Sequence, residues 1–240
     1  MRSTPVVEPI NTVAPAALLP YDPREVPVVA VDTGLPAVER ADLTPAALRL
    51  RFATPPPWAP ELRHEPRISD RAPAQAAVLV PIVMRGGEPT VLLTERASQM
   101  TTHSGQVAFP GGRVDPEDAN IAAAALREAW EEVGLSARYI EVLGSLPTYT
   151  TITSFIVTPV VALVQPGFSL TLNSGEVADA FEVPLAFLMN PANHRRHALR
   201  DAGGASREWY SMPYQDGDDE RFVWGATAGM LRNLYRFLIA

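Results

Sequence analysis

The apolar residues in the central part of the chain fall into short unbroken runs separated by polar turns. Residues 76–84 are almost entirely apolar, and a run of this length predicts a buried strand. Residues 85–89 have the composition of a turn, and residues 90–94 follow as a second strand-like run. The pattern therefore predicts a β-hairpin that begins near residue 76.

Two further apolar patterns lie downstream. Residues 155–164 predict another buried strand, in which Pro159 favours an edge position or a bulge because proline cannot donate a backbone hydrogen bond. Near the C-terminus, apolar residues recur at helical spacing and predict the buried face of a closing helix: Met230, Leu234, Phe237 and Leu238. Strands and helices that do not alternate strictly predict a mixed α/β sandwich.

A third pattern is an amphipathic helix between Asn120 and Gly134. Asn120 is a good N-cap residue, and Gly134 stands where a left-handed residue ends a helix. At about 100° per residue, one sector of this helix carries acids, namely Glu128, Glu131 and Glu132. The opposite sector is predicted to be apolar, with Leu126, Ala129, Trp130 and Val133.

The three acids of this helix have two interpretations. Carboxylates spaced three and four residues apart repel one another, so the cluster costs stability unless solvent or a cation screens it. Hard oxygen ligands at this spacing suit Mg²⁺ or Mn²⁺. The alternative is a solvated acidic helix face, which is the usual explanation of paired glutamates.

The surrounding residues favour the metal interpretation, because the stretch resembles the Nudix box. That motif runs glycine, five residues, glutamate, seven residues and then REUXEEXGU, where U is a bulky apolar residue. Its second half is matched in order by Arg127, Glu128, Glu131, Glu132, Gly134 and Leu135. The chain departs from the motif at two places: Gly112 lies one residue too far from Arg127, and the small Ala129 stands at the first U position. Which acid holds Arg127 stays open among Asp115, Glu117 and Asp118.

The residues that precede the box resemble the signature of the coenzyme A pyrophosphatase branch of the Nudix hydrolases, which also has the longer spacer. The matching positions are Leu92, Leu93, Thr94, Arg96, His103, Gly105, Gln106, Val107, Phe109, Pro110, Gly111, Gly112, Asp115 and Asp118. The resemblance extends over roughly residues 70–240 and implies an α/β/α sandwich with a mixed β-sheet. It also implies metal-dependent hydrolysis of coenzyme A or acyl-CoA to 3′,5′-ADP and 4′-phosphopantetheine or its acyl form.

The resemblance also implies roles for individual residues. Glu128, Glu131 and Glu132 would bind Mg²⁺ or Mn²⁺ and serve catalysis, and Glu176 is the candidate for a remote acid that takes a proton from water. The candidates for substrate binding are Arg96, His103, Gln106, Gly111 and Gly112, the two glycines acting mainly by letting the backbone pass close to the metal site. Two alternatives stay open: a pyrophosphatase for ADP-ribose or NADH, and a Nudix-fold binding module without turnover.

The N-terminal part of the chain has a different composition. The first 66 residues hold 13 of the 24 prolines and show little periodicity. This predicts an extended or weakly ordered arm over residues 1–40. Thr44 and Pro45 provide the start signal of a short helix within residues 41–70, which would connect the arm to a Nudix domain at 71–240.

Composition excludes several function classes. The chain has no cysteine and no lysine, so thiolate nucleophiles, cysteine-based zinc sites, P-loop lysines and Schiff bases are ruled out. A net charge of -7 disfavours nucleic acid as a partner. No signal peptide or membrane-length apolar run is evident, which predicts a soluble cytoplasmic protein. The expected partner is a small-molecule substrate, and a homodimer stays open.

Overall fold

A computed structural model describes residues 21–65, 72–97, 105–200 and 206–240. The helices are α1 (Pro45–Ala53), α2 (Ile121–Val133), α3 (Leu185–Leu188) and α4 (Gly225–Leu238). The strands are β1 (Val28–Val31), β2 (Ala74–Val83), β3 (Thr90–Arg96), β4 (Val107–Ala108), β5 (Gly111–Arg113), β6 (Ile140–Ser145), β7 (Tyr149–Thr150), β8 (Phe155–Val164), β9 (Val177–Pro184), β10 (Arg195–Arg200), β11 (Ser206–Asp216) and β12 (Asp219–Trp224). Within these ranges, no helix is long and apolar enough to cross a membrane.

The larger sheet is mixed and centres on β2. It has the order β4-β3-β2-β8-β6, with β5 also on β2, β7 on β8 and β9 on β3. Strands β2 and β8 run parallel from Ala74 opposite Phe155 to Val83 opposite Val164, whereas β2 and β3 form the predicted antiparallel hairpin. The mixed α/β class is therefore confirmed.

Helices cover both faces of this sheet. On one face α2 buries Ala124, Ala129 and Val133 against the sheet. On the other face α1 and α4 form a second core that includes the predicted stripe of α4. The three layers are the expected α/β/α sandwich, and each fully buried aliphatic side chain contributes about 1.5–3 kcal/mol to it.

The edge position predicted for Pro159 is wrong. Strand β8 is internal, because β2 flanks it on one side and β6 and β7 flank it on the other. Pro159 lies at the break between β6 and β7. Tyr149 of β7 pairs with Val157 on one side of it, and Ser145 of β6 pairs with Val160 on the other. Its carbonyl accepts a hydrogen bond of 2.9 Å from the Leu146 amide, so only the missing amide proton is lost from the ladder.

The expectation of a separate arm does not hold for residues 21–40. Strand β1 is the edge of a four-stranded sheet with the order β1-β10-β11-β12. The Val26 carbonyl lies 2.8 Å from Nδ1 of the buried His197, and the Asp32 carboxylate lies 2.8 Å from the buried Arg232 guanidinium. The sequence pattern missed this packing because an edge strand is held by backbone hydrogen bonds, which need no apolar periodicity.

The connector also packs on the domain. As predicted, Thr44 caps α1, accepting a hydrogen bond of 3.3 Å from the Ala47 amide. Further along, the Leu62 amide donates to the side chain of Asn233 on α4 at 3.0 Å. The proposed boundaries at residues 40 and 70 therefore do not separate independent units in the described part of the chain.

Candidate active site

The acidic helix α2 has the ends that its sequence predicts. The Asn120 side chain accepts a hydrogen bond of 2.9 Å from the Ala123 amide, and Gly134 adopts the left-handed conformation at φ 69°. Since both ends are fixed, the rotation of α2 against the sheet decides where each acid lies.

That rotation differs from the prediction. Glu132 is only 4% exposed and lies within the buried stripe, whereas Trp130 is 59% exposed. Glu132 stands about two turns after Ala125, so the two residues share the face that packs on the sheet. The prediction of an acid face opposite the core is therefore wrong for Glu132, and Trp130 does not belong to the apolar face.

The buried Glu132 carboxylate is held by the loop that precedes the helix. Its Oε2 accepts a hydrogen bond of 3.1 Å from the Gly111 amide. Burial raises the pKa of Glu132 to about 7 and outweighs this hydrogen bond and the nearby Arg96 guanidinium, which lower it. The negative charges of Glu128 and Glu176 act in the same direction as burial.

This pKa shift links the site to stability. In the unfolded chain Glu132 ionises near 4.5, and in the folded protein near 7. Ionisation of the buried Glu132 therefore does not lower the free energy of unfolding below about pH 4.5, and it lowers this free energy increasingly as the pH rises to about 7. Without a cation, the protein is expected to lose stability across that range.

Glu128 lies beside the second glycine of the loop. Burial raises its pKa, the neighbouring Arg127 opposes this, and the charges of Glu131 and Glu176 add to it. A Cβ atom on Gly112 would lie 2.6 Å from the Glu128 carboxylate, and one on Gly111 would lie 2.4 Å from the Ala77 carbonyl oxygen. The two glycines thus allow the loop to pass between the sheet and the acids, as the sequence suggested.

Asp118 is the acid that holds Arg127. The Arg127 guanidinium donates to both of its oxygens, at 3.0 and 2.9 Å, and reaches Asp115 only at 3.5 Å. Asp118 also accepts a hydrogen bond of 2.8 Å from the Asp115 amide, which closes the loop. These bonds lower the pKa of Asp118 and raise that of Arg127 further above its ordinary range.

The same arginine contacts two acids of the cluster. Its Nη1 donates to Glu128 and to Glu131, at 3.0 Å each, and the Glu131 side chain is otherwise half exposed. No three acidic or histidine side chains in the described residues converge closely enough to hold a metal ion as they stand. The donor chemistry nevertheless fits Mg²⁺ or Mn²⁺, because carboxylate oxygens crowd together here at an electrostatic cost that a cation would remove.

Two strand ends complete the site. Glu176 directly precedes β9, and its carbonyl accepts a hydrogen bond of 2.9 Å from the Ala97 amide, next to Arg96 at the end of β3. Arg96 and Glu176 both act electrostatically on Glu132. The structure therefore brings together six of the predicted residues: Arg96, Gly111, Gly112, Glu128, Glu132 and Glu176.

Two further residues, Gln106 and His103, were predicted to bind substrate. The Gln106 carbonyl accepts from the Arg96 amide at 3.1 Å, but its side-chain nitrogen lies near Gly225 at the start of α4. His103 lies outside the described residues.

Sequence reasoning missed Asn173, which connects two of the acids. Its amide donates to the Glu132 carbonyl at 2.9 Å, and its side chain donates to the Glu176 carboxylate at 3.1 Å. The signal was present in the turn composition of residues 173–175, where Asn173 accepts from the Gly175 amide at 3.2 Å.

Comparisons with known proteins agree with this architecture. Residues 73–201 match the sequence model of the NUDIX domain. A Cronobacter sakazakii protein named "Uncharacterized Nudix hydrolase NudL" is 46% identical over 160 residues, which are 67% of this chain and 80% of the relative. A protein of the same name from Salmonella paratyphi B is 42% identical over 175 residues, 73% of this chain and 86% of the relative.

Solved structures of the same family are also similar. The M. Smegmatis Nudix hydrolase RenU aligns with a TM-score of 0.41 and 28% identity over 48% of this chain and 73% of its own. On the family match and the identity to the curated relatives, the chain belongs to the Nudix hydrolase family.

Proposed function

We propose that this Nudix hydrolase is a coenzyme A diphosphatase, which cleaves the pyrophosphate of coenzyme A or acyl-CoA to 3′,5′-ADP and 4′-phosphopantetheine or its acyl form. The observation that carries the proposal is the stretch from Leu92 to Gly112, whose sequence resembles the signature of that branch. Its described ends lie on β3 and β5. The Gly111 amide donates to the Glu132 carboxylate, and the Arg96 guanidinium acts on that carboxylate electrostatically.

The metal is part of the proposal. Glu128, Glu131 and Glu132 would hold Mg²⁺ or Mn²⁺ once the side chain of Glu131 turns away from Arg127. When bound, the ion neutralises the oxygens of the pyrophosphate and makes water a better nucleophile. The pKa of Glu132, raised to about 7, means that ion binding would release a proton from this carboxyl near neutral pH.

The other residues of the site act on the substrate and the water. The planar Arg96 guanidinium can bind two phosphate oxygens, and the pairing of β3 with β9 fixes the backbone that carries it. Glu176 supplies a carboxylate oxygen that can accept the proton of the attacking water. Asn173 holds that carboxylate by a hydrogen bond, so the base is oriented before substrate arrives.

The pair Arg127 and Asp118 has a supporting role. Their two hydrogen bonds fix the loop that carries Gly111 and Gly112 against the middle of α2. This fixes the Gly111 amide, which donates to Glu132. Loss of either partner is therefore expected to disturb the position of a metal ligand without removing one.

A substrate panel tests the proposal. Coenzyme A, acetyl-CoA, ADP-ribose and NADH are each assayed with Mg²⁺ and with Mn²⁺, and the products are identified by mass. We expect coenzyme A or its thioester to have the highest kcat/KM and to release 3′,5′-ADP. A preference for ADP-ribose by about tenfold or more would overturn the branch assignment.

Two variants make the panel specific to this site. Glu132→Gln removes one charged oxygen from the buried cluster and is expected to lower kcat by about two orders of magnitude or more. Glu117→Gln is the matched control, because Glu117 is an exposed acid of the loop between β5 and α2. It is expected to keep the wild-type rate.

A further inference from the structure

Arg221 on β12 connects the two sheets next to the candidate active site. Its guanidinium lies 3.1 Å from Glu95 on β3, 2.6 Å from Asp179 on β9 and 3.1 Å from Asp216 on β11. Its central carbon lies 4.3 Å from the centre of the Phe181 ring. Arg221 is the shared partner of three carboxylates that come from three strands.

Two of these carboxylates face each other across a strand pair. Glu95 on β3 stands directly opposite Asp179 on β9, and like charges in this arrangement repel one another. The guanidinium between them offsets that repulsion. Without it, Glu95 and Asp179 would lose the guanidinium that they share.

The strand pair becomes irregular one residue further on. Arg96 pairs with Val177, so Ala178 is the extra residue of a bulge between the pairs of Glu95 and Arg96. A bulge redirects the side chains that follow it. Here the residues beyond it are Arg96 on one strand and Glu176 before the other, and the Ala97 amide joins the two by donating to the Glu176 carbonyl at 2.9 Å.

Arg221 contacts β3 and β9 from the face of the sheet opposite the acids of α2. Phe181, over which its guanidinium lies, belongs to the core beneath α4, whereas the acids belong to α2 on the other face. A positional effect of Arg221 on the acids of α2 would therefore pass through the backbone of β3 and β9.

We infer that Arg221 is a positioning residue of the active site, which holds the ends of β3 and β9 at the bulge and thereby sets where Arg96 and Glu176 stand. The inference rests on the proposed function, in which these two residues act on substrate and water. Displacement by about 1 Å at a reacting group can lower the rate up to about a hundredfold, so a loosened bulge should be visible in turnover.

The chain provides a matched control at the other end of the same strand pair. Arg85 binds the Glu182 carboxylate of β9, with one contact of 3.3 Å, and its guanidinium lies 5.3 Å from the Phe168 ring. Glu182 is opposite Leu92, far along the strands from Arg96. Arg85 thus makes a carboxylate and an aromatic contact like those of Arg221, but distant from the bulge.

The test compares Arg221→Met with Arg85→Met. Steady-state kinetics are measured well below each melting temperature, and hydrogen exchange reports on the Ala97 amide. We expect Arg221→Met to lower kcat/KM by about tenfold or more, with both kcat and KM changed, and to speed exchange of Ala97. Arg85→Met should stay within about twofold of wild type.

A folded Arg221→Met enzyme with wild-type kcat and KM would overturn the inference and show that the contacts serve stability alone. Should this variant not fold, Arg221→Lys is compared with Arg85→Lys, since lysine keeps the charge but lacks the planar fork. We then expect a fall in kcat/KM of about threefold or more for Arg221→Lys alone, and equal rates would overturn the inference.

The same assays separate this inference from the proposed function. Glu132→Gln is measured beside them and tests the site itself. Loss of turnover in Glu132→Gln with normal turnover in Arg221→Met contradicts only the positioning role. Full turnover in Glu132→Gln contradicts the site, and the positioning role with it.

Discussion

Gly111 and Gly112 are neighbours in the loop before α2, yet replacing each of them by alanine should have a different effect on the enzyme. In Gly112→Ala, the new Cβ would lie 2.6 Å from two atoms of the Glu128 carboxyl group and 2.7 Å from the third. Ordinary contacts are about 3.5 Å or longer, so the carboxyl group must move by roughly 1 Å. It is the far end of a half-buried side chain, and such an end can move without unfolding the loop.

The expected magnitudes follow from that difference. Gly112→Ala should change the free energy of unfolding by less than about 1 kcal/mol, yet lower kcat by about tenfold to a hundredfold because a metal ligand is displaced. In Gly111→Ala, the Cβ would lie 2.4 Å from the Ala77 carbonyl oxygen and 2.6 Å from the Val78 Cα. These are backbone atoms of the central strand β2, so about 1–3 kcal/mol of stability or more should be lost.

The assay combines urea unfolding with turnover under saturating Mn²⁺. Gly86→Ala serves as the control, because a Cβ there meets nothing within 4 Å. Wild-type turnover in Gly112→Ala, or a loss of stability as large as that of Gly111→Ala, would refute the geometry assigned to the loop.

Three further predictions concern the fold around the site. Glu132→Gln should raise the free energy of unfolding of the metal-free protein at pH 8 by up to about 3 kcal/mol and leave it unchanged at pH 4. Urea unfolding at both pH values measures this difference. Val133→Ala should lower the free energy of unfolding by about 2 kcal/mol and Trp130→Ala should hardly change it, because of the two residues only Val133 is buried. Equal losses of stability in thermal melts of the two variants would contradict this orientation of α2. Deleting residues 1–35 should lower the melting temperature by about 5 °C or more, because β10 loses its edge partner, and an unchanged melting curve would contradict that packing.

The elements that local chemistry controls could be predicted from the sequence. The hairpin of β2 and β3 follows from two apolar runs and a turn, and the ends of α2 follow from Asn120 and Gly134. Each of these features depends on residues close together in the chain. For the same reason Glu176 could be placed before a strand by its turn residues.

Features that depend on distant packing could not be predicted in the same way. Helical periodicity shows that α2 has two faces, but the sheet decides which residues are covered, and it covers Glu132 rather than Trp130. Three acids were near enough in sequence to hold Arg127, and only the path of the loop selects Asp118. The contacts of Arg221 join strands that are far apart in sequence, and no local pattern marks them.

The acids of α2 are proposed to form a metal-dependent hydrolytic centre. This is tested by calorimetric titration with Mn²⁺ of the Glu128→Gln and Glu132→Gln double variant, beside wild type and Glu117→Gln. We expect equal affinity for wild type and Glu117→Gln, and affinity weaker by about tenfold or more in the double variant. Equal Mn²⁺ affinity in all three proteins would contradict it and reduce these acids to a partly buried helix face.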